Sequence, residues 1–110
     1  AVIGNGTDVP VEPIDAIASY YASVTRITKD GTPFYPEQVM TREEALASYT
    51  INNAIAAFEE DIKGSLTPGK LADIVILSQD LLTVADEKML ETEIDMTIIG
   101  GAVVYERQYI

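Results

Sequence analysis

Gly100 and Gly101 stand side by side between Thr97-Ile98-Ile99 and Ala102-Val103-Val104-Tyr105. Paired glycines accept the positive φ of a two-residue hairpin turn, and β-branched flanks favour strands, so the two runs are predicted to pair antiparallel. Ahead of them, Leu66 and a Pro68-Gly69 turn lead into Ile74-Val75-Ile76-Leu77, an uninterrupted apolar run that reads as a buried strand. The end of the chain is therefore expected to be β-structure.

The first half has a different texture. Ala1-Val2-Ile3 followed by Gly4-Asn5-Gly6-Thr7-Asp8 reads as a short strand entering a turn, with Asp8 delivered to the strand's C-terminal end. Pro10 and Pro13 keep the next residues from turning helical at once. Residues 15–27 then read as a helix, with Ile14, Ile17, Tyr21 and Val24 at three- and four-residue spacing and Asp15 placed to cap it. Lys29-Asp30-Gly31-Thr32-Pro33 is a loop. Thr41 with Glu44 three residues on is a capping box for a helix over 42–50, in which hydroxyl and carboxylate satisfy free backbone N–H groups. Asn52 and Asn53 are expected to interrupt it, a second short helix to run over 54–58, and Lys63-Gly64-Ser65 to stop it. The two textures meet near Lys63, dividing the chain into residues 1–62 and 63–110.

Eighteen acidic against seven basic side chains give a net charge of −11. Such a field repels phosphate backbones and anionic headgroups, so neither nucleic acid nor a membrane surface is an expected partner. No apolar run approaches the roughly 20 residues of a membrane span, and the start lacks a signal-peptide pattern. Cysteine is absent, which rules out disulfides and thiolate ligation, and a cytoplasmic setting is expected. Histidine is absent too. Zinc, iron and nickel sites lean on imidazole or thiolate, so transition-metal chemistry would need ligands from outside this sequence.

Most short motifs dissolve on inspection. Gly4-Asn5-Gly6 resembles a dinucleotide fingerprint, but Val9 occupies the third glycine position and Pro10 follows it. Gly64 and Gly69-Lys70 half-match a phosphate loop, with Leu71 in place of the hydroxyl residue. Asn5-Gly6-Thr7 fits the glycosylation pattern, which matters only in a secreted protein. The clusters Glu43-Glu44, Glu59-Glu60-Asp61 and Asp86-Glu87 lack calcium-loop spacing and read as solvated faces. Asp8 by itself reads as a turn residue.

A larger pattern changes the reading of Asp8. Gly6-Thr7-Asp8-Val9-Pro10-Val11-Glu12-Pro13-Ile14-Asp15, with Tyr21-Ala22-Ser23-Val24-Thr25-Arg26, resembles the final barrel strand and following helix of amidohydrolase family 3, in the metal-dependent amidohydrolase superfamily. Thr41-Arg42-Glu43-Glu44-Ala45-Leu46 and Tyr49-Thr50-Ile51-Asn52 resemble that family's last barrel helix. The run from Gly64 to Leu77 is similar to the strand entering its small β-sandwich, and Thr97 through Tyr105 to its closing hairpin. The resemblance covers nearly the whole chain. It implies an α/β C-terminal fragment: the last β/α unit of a TIM-like barrel over 1–62, and part of a composite β-sandwich over 63–110. A complete barrel takes roughly 250 residues, far more than the 110 here.

By the same resemblance, the parent is an enzyme that hydrolyses carbon–nitrogen bonds of non-peptide amide or amidine type, with a divalent metal, zinc or similar. Asp8 takes the family's strand-eight position, the catalytic proton shuttle, and touches the metal only if other ligands come from outside the chain. A carboxylate there can take a proton from the nucleophile and pass it to the leaving nitrogen. The family's histidines and bridging ligand have no counterparts, so the chain alone is expected to bind no metal and to be inactive. Its expected partners are the rest of the barrel and further copies of itself. Arg26 matches a family position and reads as packing, while Phe34 and Tyr35 in the 27–40 loop are candidates to line a pocket. The alternative from another class is a stand-alone acidic interaction module, or a remnant without catalysis.

Overall fold

The computed structural model describes residues 1–108. Its first helix, α1 (Ala16–Thr25), begins where Asp15 Oδ1 accepts the Ala18 N–H at 3.0 Å. Ile14 lies before the cap and is exposed instead of joining the apolar stripe. At the other end Arg26 takes a left-handed conformation, φ 56°, and its N–H closes on Ala22 O at 2.9 Å, so the helix stops short of Ile27. The loop beyond it folds back through a 3-10 turn at Pro36–Gln38, and the Met40 N–H bonds Ser23 O at 2.9 Å.

The capping box is formed as expected. Thr41 Oγ1 accepts the Glu44 N–H at 3.1 Å while Glu44 Oε2 accepts the Thr41 N–H at 3.3 Å, and α2 runs Arg42–Tyr49. The two asparagines do not interrupt the helical stretch. The break falls at Thr50 (φ −129°, ψ −97°), and α3 (Ile51–Ala56) contains both Asn52 and Asn53. Asparagine breaks helices when its amide bonds its own nearby backbone. Here both amides reach distant carbonyls instead, Asn52 Nδ2 donating to Ile3 O and Asn53 Nδ2 to Asn5 O, each at 3.0 Å. α3 ends before Phe58, and Lys63-Gly64-Ser65 lies beyond it. Gly64 (φ 99°) crosses α3 so closely that a Cβ would sit 2.8 Å from the Ala54 Cβ.

Residues 1–3 form no strand. A strand is defined by ladder bonds to a neighbour, and this segment is tied down by helix side chains instead. The one sheet among the described residues is antiparallel, in the order β1 (Ile74–Leu77), β2 (Ile94–Ile99), β3 (Ala102–Glu106). The β2–β3 hairpin turns on Gly100 (φ 57°) and Gly101 (φ 83°), as the sequence predicts. Its tip is pinned by the Gly100 N–H to Asp73 Oδ1 at 2.9 Å and the Gly101 N–H to Ala72 O at 3.0 Å. β1 is not the buried strand expected from its apolar run. Val75 and Ile76 are 52% and 44% exposed, because the sheet is a single layer that no second described layer covers.

The buried core lies away from most of the sheet. Tyr20, Ala45, Leu81 and Met89 form it, flanked by Ile17, Val24, Met40 and Leu77. Residues 81 and 89 come from the β1–β2 connection, which carries the one-turn helix α4 (Asp86–Met89), so the core draws on both sides of Lys63. The Tyr20 hydroxyl lies 3.1 Å from Leu81 O and 3.2 Å from Arg42 O. Arg42 Nη1 also donates to Leu81 O at 3.1 Å, and Nη2 pairs with Asp86 at 2.6 Å. No helix among the described residues is long and apolar enough to cross a membrane.

Candidate functional site

Asp8 sits on the turn between the N-terminal segment and α1. Its φ is 58°, a conformation aspartate tolerates better than most residues, and its carbonyl accepts the Glu12 N–H at 3.1 Å. The residue is exposed, and the Val9–Pro10 peptide beside it is cis. Before it runs a segment without a ladder whose polar groups are met by side chains and by the Ser48 carbonyl of α2. The Asn5 N–H donates to Ser48 O at 2.9 Å, Asn5 Nδ2 donates to Ser48 Oγ at 2.9 Å, and Asn53 closes on the Asn5 carbonyl. Ser19 Oγ reaches Gly6 O at 3.4 Å and lies 2.6 Å from the Tyr49 hydroxyl, which stands 3.1 Å from Ser23 Oγ.

These contacts also dispose of the glycosylation pattern at Asn5, whose amide nitrogen is occupied by Ser48 in a half-buried setting. Ser48 itself is fully buried and donates to Ala45 O at 2.6 Å. Sequence reasoning missed Asn5, Ser48 and Tyr49 as members of this neighbourhood. The one signal on offer was the pair Asn52-Asn53 inside a helical pattern, polar amides where apolar or charged residues are usual.

Beside the segment, between α1 and the two turns at 7–13 and 27–31, lies a groove of about 540 Å³ lined by Thr7, Glu12, Ser19, Tyr21 and Lys29. Lys29 and Glu12 approach to 3.8 Å, both well exposed. Phe34 and Tyr35 do not line this groove. They stack edge to face with centroids 4.7 Å apart, each 55% exposed. Arg26 lies 5.5 Å from the centre of the Phe34 ring and donates its Nε–H to Phe34 O at 3.1 Å. Arg26 thus braces the 27–40 loop, in line with its reading as a packing residue.

Among the described residues no three His, Cys, Asp or Glu side chains come together to hold a metal ion. Asp8 offers one carboxylate, and a catalytic zinc ion takes three protein ligands, so this donor set does not by itself fit a zinc centre.

With this geometry in place, comparison with known proteins is informative. The sequence pattern of the amidohydrolase family matches residues 1–105. An N-substituted formamide deformylase from Arthrobacter pascens is 34% identical over 87 residues, 79% of this chain and 16% of that protein. An imidazolonepropionase from Porphyromonas gingivalis is 38% identical over 66 residues, 60% of this chain and 16% of that protein. A crystal structure of an amidohydrolase from Thermotoga maritima superposes with a TM-score of 0.67 at 25% identity, covering 91% of this chain and 22% of that one. The chain spans 16–20% of the length of the curated relatives it matches.

Proposed function

This chain belongs to the amidohydrolase family, and on that premise we propose that the protein carrying it hydrolyses carbon–nitrogen bonds of non-peptide amides or amidine-type groups, with Asp8 as its acid–base residue. The observation that carries the reading is the position of Asp8: inside the matched span, after Gly6-Thr7, exposed, and at the end of a segment fastened to two helices. In this proposal residues 1–62 are the last β/α unit of a barrel and 63–110 part of the accessory sandwich, with 109 and 110 outside the described residues. The superposition on the Thermotoga maritima amidohydrolase supports that assignment.

The chemistry asked of Asp8 is proton transfer. As water attacks the carbonyl or amidine carbon and the new C–O bond forms, the carboxylate accepts the water's proton. As the C–N bond breaks, the resulting carboxylic acid donates that proton to the departing nitrogen, and Asp8 returns to its starting charge. A divalent metal, zinc or similar, belongs to the same proposal with most or all of its ligands drawn from beyond these residues. One carboxylate fits such a site only as a contributor.

Replacing Asp8 with Asn keeps its size and removes the base. Turnover of the protein should fall roughly 10²–10⁴-fold with the fold intact, measured at equal metal content in both samples. A turn aspartate without catalytic duty predicts a different result, a stability loss of about 1 kcal/mol with turnover retained. Near-normal turnover in Asp8→Asn rejects the reading.

A further inference from the structure

We propose that Asn5 is a positioning residue for Asp8, held by Ser48 and Asn53; this deepens, and rests on, the reading of Asp8 as the acid–base group. Three of the hydrogen-bonding groups of Asn5 are engaged at once. Its N–H bonds Ser48 O at 2.9 Å, its Nδ2 bonds Ser48 Oγ at 2.9 Å and lies 3.6 Å from Met40 Sδ, and its carbonyl accepts Asn53 Nδ2 at 3.0 Å. Ser48 is fully buried and anchored in turn to Ala45 O, so the pin is fixed in the last turn of α2 and not on a flexible surface side chain. Asn52 holds Ile3 O on one side, and Ser19 approaches Gly6 O on the other.

Gly4 gives a second sign of close fit. A Cβ built there would lie 2.3 Å from Asn53 Oδ1. The end of an asparagine can usually swing aside, but this amide is tethered through Nδ2 to the Asn5 carbonyl and yields only by breaking that bond. The segment before Asp8 is thus gripped by side chains from α2 and α3, with α1 beside it. A carboxylate three residues beyond Asn5 is aimed by that grip. Misplacing a catalytic group by about 1 Å costs about 10²-fold in rate, so the pin bears directly on turnover.

The experiment uses the full-length protein that carries this chain, with Asn5→Ala, Ser48→Ala, their double variant, Gly4→Ala, and Asp8→Asn as the reference. N-Phenylformamide serves as the probe substrate, and amide hydrogen exchange of residues 3–8 is followed on the same samples. The proposal expects kcat to fall about 10²-fold in Asn5→Ala and in Gly4→Ala, with KM within about twofold and exchange in 3–8 accelerated at least tenfold while the rest of the chain is unchanged. The double variant should be no worse than Asn5→Ala alone, because both singles cut one contact. Unchanged exchange in 3–8 overturns the pin whatever the kinetics. Accelerated exchange with kcat intact, where Asp8→Asn is impaired, overturns the positioning role. An Asp8→Asn variant as active as the parent removes the acid–base reading, and the positioning role with it, whereas loss of the pin alone leaves the acid–base reading standing.

Discussion

Asp30 shows how a single residue fixes a turn at the rim of the groove. Thr28 Oγ1 donates to its Oδ1 at 2.5 Å and the Thr32 N–H at 3.0 Å. These bonds, Thr28 first and then Thr32, favour the charged form and hold the carboxyl below its ordinary range. A depressed folded value means that the turn's stabilisation is complete above the unfolded carboxylate pKa and is lost as pH falls through the folded one. A carboxyl ¹³C titration should therefore show Asp30 titrating below the ordinary aspartate value, and Thr28→Ala should move it back toward that value. Tyr20 runs the opposite way. Burial, ahead of the opposing charge of Arg42, raises its phenol, so its contribution is complete below the unfolded phenol pKa and is lost as pH rises through the raised folded one. Neither effect was legible in the sequence, where Thr28 and Tyr20 are ordinary residues. Asp8 is set apart from an ordinary turn aspartate only by its neighbours Gly6, Thr7, Val9 and Pro10, on which its proposed catalytic role rests. Asn5 and Ser48 were not legible, because their partners lie 43 residues apart and no local pattern marks them.

Elements whose determinants lie within a few residues of one another were readable, and those that depend on distant partners were not. The capping box, the Asp15 cap and the Gly100-Gly101 turn rest on contacts across at most four residues, and each formed as expected. Residues 1–3 have the composition of a strand, yet strand or coil is decided by whether another strand lies beside them. The supposed break at Asn52-Asn53 failed for the same reason, since carbonyls almost fifty residues away claim both amides. The capping box gives a direct check on this scale. Thr41→Ala removes the acceptor for the Glu44 N–H and should weaken the start of α2 by about 1 kcal/mol, a roughly fivefold faster exchange of that amide. Thr41→Ser keeps the acceptor and should exchange like the parent. Equal exchange in Thr41→Ala would mean that packing of Ala45 and Ser48 alone sets the helix start.

At the scale of the molecule, buried and exposed apolar surface are out of proportion. The radius of gyration is 14.8 Å, against about 13 Å for a compact chain of this length. Among the described residues the buried hydrophobic set is Tyr20, Ala45, Ala54, Leu81 and Met89, so Met89→Ala should cost about 2–5 kcal/mol and threaten the fold. Outside that core, Val75, Ile76, Ile99, Val103, Val104 and Tyr105 leave both faces of one sheet open, and β1 and β3 are its edges. Contiguous apolar surface and unpaired edges drive association, whether with other parts of a larger protein or with another copy. The charge of −11 opposes contact between copies, and that repulsion is screened beyond about 10 Å at 0.1 M salt. The two forces make a prediction with a sign. The isolated 110-residue chain should show an apparent mass by light scattering above 11.9 kDa, rising with protein concentration and rising further when sodium chloride is added. Val103→Glu, in the exposed β3, should lower the association constant by interrupting the apolar face and adding to the repulsion, and leave the Tyr20–Met89 core untouched. A single 11.9 kDa species from micromolar to millimolar concentration, indifferent to salt, would show that water tolerates this open sheet and that no covering partner is needed to keep it in solution.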